Sequence, residues 1–198
     1  MYPDSLKDLI ESFKTLPGIG EKTAERLAFF LINEDEEQTN FFADSIVNAK
    51  SKIHKCEVCN NLTDQDICSI CSNPLRDKNI LCVVEDVKNI FMFEKVGSYN
   101  GQYHVLDGLI SPLDGIDPDD IGIDKLINRI KKEKYDEIII AVKPSIEGET
   151  TSLYIKKILG GFNIKVTRIA SGIPIGTDIE YIDSMTLERA LQDRKEIN

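Results

Sequence analysis

Leu6, Leu9, Ile10 and Phe13 recur at i, i+3, i+4 and i+7 near the start of the chain, the stripe of a helix buried along one face. Thr15-Leu16-Pro17-Gly18-Ile19-Gly20 breaks that pattern, since proline cannot continue a helix and glycine tolerates positive φ. A second helix is predicted from Ala24, Leu27, Ala28 and Leu31 at the same spacing, and a third carries Phe42, Ile46, Ala49 and Ile53. The acidic run Glu34-Asp35-Glu36-Glu37 between them reads as a solvated helix start.

From about residue 79 the rhythm changes. Ile80–Val84, Tyr103–Leu106, Glu137–Val142 and Ile164–Ala170 predict strands, and 86–96, Asp124–Lys134, Glu149–Leu159 and Thr186–Gln192 predict helices. Strands alternating with helices imply βαβ units and a parallel sheet. Two of the strands are continuous apolar runs, as expected for strands buried on both faces. The expected fold class is therefore multidomain, α followed by α/β. No internal repeat or low-complexity segment interrupts it.

The chain has 198 residues and a net charge of −10. Its 41% hydrophobic content can bury a core, which excludes a disordered chain. No apolar run reaches the roughly 20 residues that span a bilayer, and Met1-Tyr2-Pro3-Asp4-Ser5 carries no basic n-region. A soluble, cytoplasmic protein with no membrane partner is expected. So acidic a chain is no whole-surface nucleic-acid binder, but it can carry a small basic patch.

Such a patch falls at Leu16-Pro17-Gly18-Ile19-Gly20-Glu21-Lys22-Thr23-Ala24. Two glycines around one apolar residue make a tight corner, and the next helix begins there with unpaired N–H groups and a positive dipole end. Lys22 and Arg26 stand four residues apart on that helix and share a face. They can hold successive backbone phosphates; alternatively they pair with Glu21 and Glu25. Gly20-Glu21-Lys22-Thr23 is no P-loop, which needs glycine directly before the lysine and a strand before the loop. The segment resembles the helix–hairpin–helix motif of proteins that bind DNA without reading its sequence. Residues 1–30 hold four basic side chains (Lys7, Lys14, Lys22, Arg26) against five acidic ones (Asp4, Asp8, Glu11, Glu21, Glu25). One copy should bind weakly and with strong salt dependence, and several copies together should bind firmly.

Cys56, Cys59, Cys68 and Cys71 form C-x2-C-x8-C-x2-C. Two such knuckles close on one tetrahedral Zn²⁺, and four thiolates leave no open position, so the ion is structural. Disulfides, a redox pair and an iron–sulfur cluster are the weaker readings. His54 reads as a bystander, and Cys82 and His104 as buried core residues.

Glu85 ends the first predicted parallel strand, and another strand runs into Lys143-Pro144-Ser145-Ile146-Glu147-Gly148-Glu149. This arrangement resembles the Toprim domain of topoisomerases, primases and some nucleases, which hold Mg²⁺ with a Glu and an Asp-x-Asp. Here Lys143 and Ser145 occupy the Asp-x-Asp positions. An ammonium repels the ion, so magnesium-dependent strand cleavage is not expected; whether Lys143 instead pairs with Glu85 the sequence leaves open. Glu85 and Glu147 then read either as solvated strand-end acids or as an acidic surface for a protein partner.

Helix–hairpin–helix, four-cysteine finger and degenerate Toprim follow one another in this order in the RecR family of bacterial recombination mediators, which the whole chain resembles. Further matching segments are Tyr103-His104-Val105-Leu106-Asp107-Gly108, Ser111-Pro112-Leu113-Asp114-Gly115, Thr167-Arg168-Ile169-Ala170 and Ile179-Glu180-Tyr181. Lys143 and the ending Gln192-Asp193-Arg194 depart from it. The resemblance implies domains at 1–53 (helix–hairpin–helix), 54–76 (zinc finger), 79–174 (Toprim) and 175–198 (a tail and helix for subunit assembly). It implies DNA contact through Lys22 and Arg26, one structural zinc on Cys56, Cys59, Cys68 and Cys71, and Glu85 and Glu147 facing RecO. It also implies a non-enzymatic role with RecO, and RecF in some settings, in loading RecA on gapped single-stranded DNA, from dimer or tetramer rings. The rivals are an active magnesium-dependent Toprim enzyme and a zinc-dependent interaction adaptor without DNA contact.

Overall fold

A computed structural model describes residues 2–194 and Glu196. Met1, Lys195, Ile197 and Asn198, at the ends of the expected first and last domains, lie outside the described residues. The chain divides into two compact units, residues 1–53 and 54–198.

The first unit is α1 (Asp4–Lys14), α2 (Glu21–Asn33) and α3 (Glu36–Lys52). Leu6 and Ile10 of α1 close on Ala24 and Ala28 of α2, and Leu9, Phe13 and Ile19 fill the margins. The small alanines let the two backbones approach, so the hairpin's core is thin. Asp35 caps α3 by accepting the Gln38 amide at 2.7 Å, and Glu36 and Glu37 occupy its first turn, as the acidic run implied. The apolar face expected on α3 exists but is not buried. Phe42 and Ile46 remain exposed, as do Phe41 (75%) and Val47 (65%), and α3 has no buried residue.

The second unit opens with the short antiparallel pair β1 (His54–Lys55) and β2 (Leu62–Thr63), then α4 (Ser69–Ser72). Four parallel strands follow: β3 (Asp77–Val84), β4 (Gly101–Val105), β5 (Glu137–Ala141) and β6 (Lys165–Arg168), in the order β4-β3-β5-β6. Between and after them run α5 (Val87–Val96), α6 (Ile123–Lys132), α7 (Ile146–Ile158) and α8 (Ser184–Gln192). Alternation along the strands gives each face its own core. Leu81, Val83, Ile138 and Ile140 pack with Leu126 and Ile130 of α6 and Ile155 of α7. Cys82, Val84, Tyr103 and Val105 pack with Ile90 of α5 on the other face. Cys82 is thus a core residue, and burial pushes its thiol up to about 12. The register puts Val84 beside both Val105 and Ala141, so the strands end together and their C-terminal loops share one rim. Among the described residues no helix is long and apolar enough to cross a membrane.

Candidate functional site

The corner between α1 and α2 forms as its residue types dictate. Gly18 takes φ of +81°, which a Cβ disfavours, and the Ile19 amide donates back to the Leu16 carbonyl at 3.2 Å. Gly20 precedes α2 with no side-chain cap, and the amides of Gly20, Glu21 and Lys22 make no hydrogen bond among the described residues. Lys22 and Arg26 are exposed on the next turn. Neither forms an ion pair with Glu21, Glu25 or any other described residue, although exposed pairs such as Lys7–Asp4 and Lys14–Glu11 form on the preceding helix. Uncapped N–H groups beside two free cations make an anion-attracting corner.

The four cysteine sulfurs all lie within 4.8 Å of one another, and three of the four residues are fully buried. Cys59 Sγ and Cys68 Sγ stand 3.6 Å apart, near the about 3.8 Å expected when thiolates bind zinc tetrahedrally at 2.3 Å. The Cys68 amide points at Cys56 Sγ (3.3 Å) and the Asn61 amide at Cys59 Sγ (3.5 Å). Contacts with Cys68 and then Cys71, with burial, hold the Cys59 thiol well above its ordinary range. The Cys59 and Cys71 contacts hold Cys68 well below it. A cation that closes on the four sulfurs displaces the protons that remain on them. Asn60, which sequence reasoning missed, occupies the left-handed region at φ 60°, and its Nδ2 donates to the Val105 carbonyl at 3.0 Å. Asparagine directly after C-x2-C is the signal that could have found it. His54 is exposed and is not among the clustered ligands.

At the strand-end rim, Glu85 Oε2 accepts the backbone N–H of Lys143 at 3.1 Å. The Lys143–Glu85 ion pair that the sequence left open does not form: the lysine main chain, fixed by the turn into α7, reaches the carboxylate, while its side chain stays exposed. Glu147 sits in the first turn of α7 and takes the Ser145 hydroxyl at 2.6 Å, a bond that holds its carboxyl below the usual range. Ser145 caps the helix by accepting the Gly148 amide. A Cβ on Gly148 would lie 1.9 Å from the Lys143 carbonyl oxygen, which explains glycine between Glu147 and Glu149. Beside Glu85, an open cavity of about 320 Å³ is lined by Met92, Phe93, Val96 and Pro144; Glu147 lies outside that lining. Among the described residues, only the four cysteines bring three or more potential metal ligands together.

His104 is buried as expected, at 1% exposure, but both of its ring nitrogens lack a hydrogen-bond partner. Desolvation, with Arg129 and Lys125 nearby, brings its pKa down to about 3 and keeps the ring neutral.

Known proteins place these features in one family. Residues 6–50 match the family "RecR, helix-hairpin-helix", 53–73 the four-cysteine zinc finger domain of RecR, 79–170 "Toprim domain" and 172–195 "RecR, C-terminal". The "Recombination protein RecR" of Natranaerobius thermophilus is 45% identical over 196 residues, covering 99% of this chain and 98% of the relative. Cys56, Cys59, Cys68 and Cys71 are thus positioned to hold one zinc ion, which would cross-link two knuckles and carry no open coordination position. Hairpin, finger, Toprim sheet and C-terminal segment occur together in one chain, and it belongs to the RecR family of DNA recombination and repair proteins.

Proposed function

We propose that this chain is a non-enzymatic recombination mediator that grips the DNA backbone at the α1–α2 corner. The observation that carries the reading is the state of Lys22 and Arg26, exposed, unpaired among the described residues and adjacent to three free amides. Such groups hold phosphate oxygens and read no bases. One corner on a chain of net charge −10 binds weakly, so the working species is a dimer or tetramer ring whose corners face a common strand. On this reading it acts in the cytoplasm with RecO and RecF to load RecA on gapped single-stranded DNA. Glu85 and Glu147 face RecO, and the apolar cavity beside Glu85 supports that surface.

Two features support a role without strand chemistry. Lys143 and Ser145 stand where Toprim enzymes carry paired aspartates, and Glu85 already receives the Lys143 amide. Mg²⁺ needs several anionic oxygens to offset its dehydration.

Fluorescence anisotropy with labelled single-stranded DNA tests the reading. Binding should weaken steeply with salt and be largely lost in Lys22→Ala/Arg26→Ala. Unaltered binding by that variant, or binding indifferent to salt, would remove the corner from the mechanism.

A further inference from the structure

Between the first zinc knuckle, β4 and α6 lies a cavity of about 290 Å³ whose lining includes Glu57, His104, Lys125, Arg129, Lys132 and Glu133. Lys125, Arg129 and Lys132 fall at i, i+4 and i+7 along α6 and so share one face. Arg129 is committed to structure: its Nη1 donates to the Tyr103 carbonyl and its Nη2 to Gln102 Oε1, both at 2.6 Å. Lys125 and Lys132 are exposed and form no ion pair among the described residues. Of the two acids, Glu133 already receives Arg129 Nε and the Tyr135 hydroxyl, which leaves Glu57, exposed, as the opposing charge. His104 contributes a nine-tenths-buried imidazole with two unpartnered nitrogens. An unpaired donor in such a wall is destabilising unless something completes its bonding.

We propose that this cavity is a second anion site, taking a phosphate group between the Lys125 and Lys132 ammonium groups, with His104 N–H as a donor from the wall. Its volume is roughly ten times the about 30 Å³ share of one water, so a phosphate with an attached sugar or its hydration fits. Lysine recognises phosphate as a point charge and needs no planar fork. A neutral imidazole supplies one N–H to a phosphate oxygen. The phosphate comes either as the free ion or as a phosphodiester of nucleic acid. The site is independent of Lys22 and Arg26, so the two stand or fall separately.

The test uses the full-length, zinc-loaded protein in two arms. Inorganic phosphate is titrated while the His104 ring resonances are followed by NMR. A single-stranded oligonucleotide is titrated across a salt series by anisotropy. A saturable ring shift that disappears in Lys125→Gln/Lys132→Gln shows that free phosphate suffices. A silent phosphate arm, with the double variant lowering the oligonucleotide salt slope by about 0.7, shows that a phosphodiester is required. The absence of both responses overturns the proposal. Lys22→Ala/Arg26→Ala should leave the phosphate response in place, which separates this site from the corner. Glu57→Gln should tighten binding several-fold. His104→Leu should raise Tm by about 2–4 °C, as expected when an unpaired buried polar group is removed, while weakening the phosphate response, which for this variant is read by calorimetry. A fall in Tm with the response intact would show a merely structural histidine and overturn its part.

Discussion

The backbone N–H of Val105 donates to the carbonyl oxygen of Cys59 at 2.8 Å, so a zinc ligand residue pairs with the outer strand of the parallel sheet. The Asn60 side chain adds a bond to the Val105 carbonyl, and Lys55 pairs with Asp107 just beyond. An edge strand presents unpaired donors and acceptors that invite association. Here the knuckle covers the end of that edge, and finger and sheet share it.

Metal removal should therefore be felt beyond the finger. Chelation should release the Cys59 and Asn60 contacts and speed hydrogen exchange at the Val105 amide by about 30-fold, the equivalent of about 2 kcal/mol for two hydrogen bonds. Exchange mass spectrometry with and without chelator measures it. Unchanged protection at Val105 would mean the knuckle holds its shape without metal.

The hairpin cations have a quantitative signature. Each phosphate neutralised on a single strand contributes about −0.7 to the slope of log K against log salt. Removing Lys22 and Arg26 should flatten that slope by about 1.4 per engaged protomer. An assembly contacting DNA with several protomers should show several times that change.

No magnesium-dependent cutting is expected. Incubated with Mg²⁺ and supercoiled plasmid, the protein should leave topology and strand integrity unchanged on an agarose gel. Nicking or relaxation abolished by Glu85→Ala would establish an active Toprim centre. Lys143→Asp/Ser145→Asp should instead gain Mg²⁺ binding by calorimetry, since aspartate can still cap α7 and the carboxylates would stand near Glu85.

Acid should weaken the fold through His104. Its pKa is about 3 when folded, whereas an unfolded imidazole titrates near about 6.5. Between those values the unfolded chain binds more protons, so the histidine's contribution is intact above about pH 6.5 and is lost progressively as pH falls toward 3. From about pH 6.5 to about 5.5 the wild type should lose about 1 kcal/mol more than His104→Leu in denaturant titrations. Parallel curves would show that the ring is not held neutral.

Much of this was legible in the sequence because its causes are local. The stripes Leu6–Phe13 and Ala24–Leu31 and the apolar runs of β3 and β5 carry their own periodicity, and the cysteine spacing carries its own chemistry. The exposure of Phe42 and Ile46 was not legible, since periodicity shows that a helix has an apolar face but not what covers it. The Glu85 contact was left open for a similar reason. Side-chain charges suggested an ion pair with Lys143, but the turn into α7 presents that residue's amide instead. The Cys59–Val105 bond joins segments far apart on the chain, and no local pattern encodes it.

Gly148 has a wider consequence. With the Lys143 carbonyl resting where a methyl group would otherwise be, close main-chain packing helps set the route of the loop, beside the Glu85 and Ser145 hydrogen bonds. Residues 143 and 145 can then change identity while the scaffold keeps its course. A lineage could exchange side chains there without moving the sheet or α7, and so change what the rim presents.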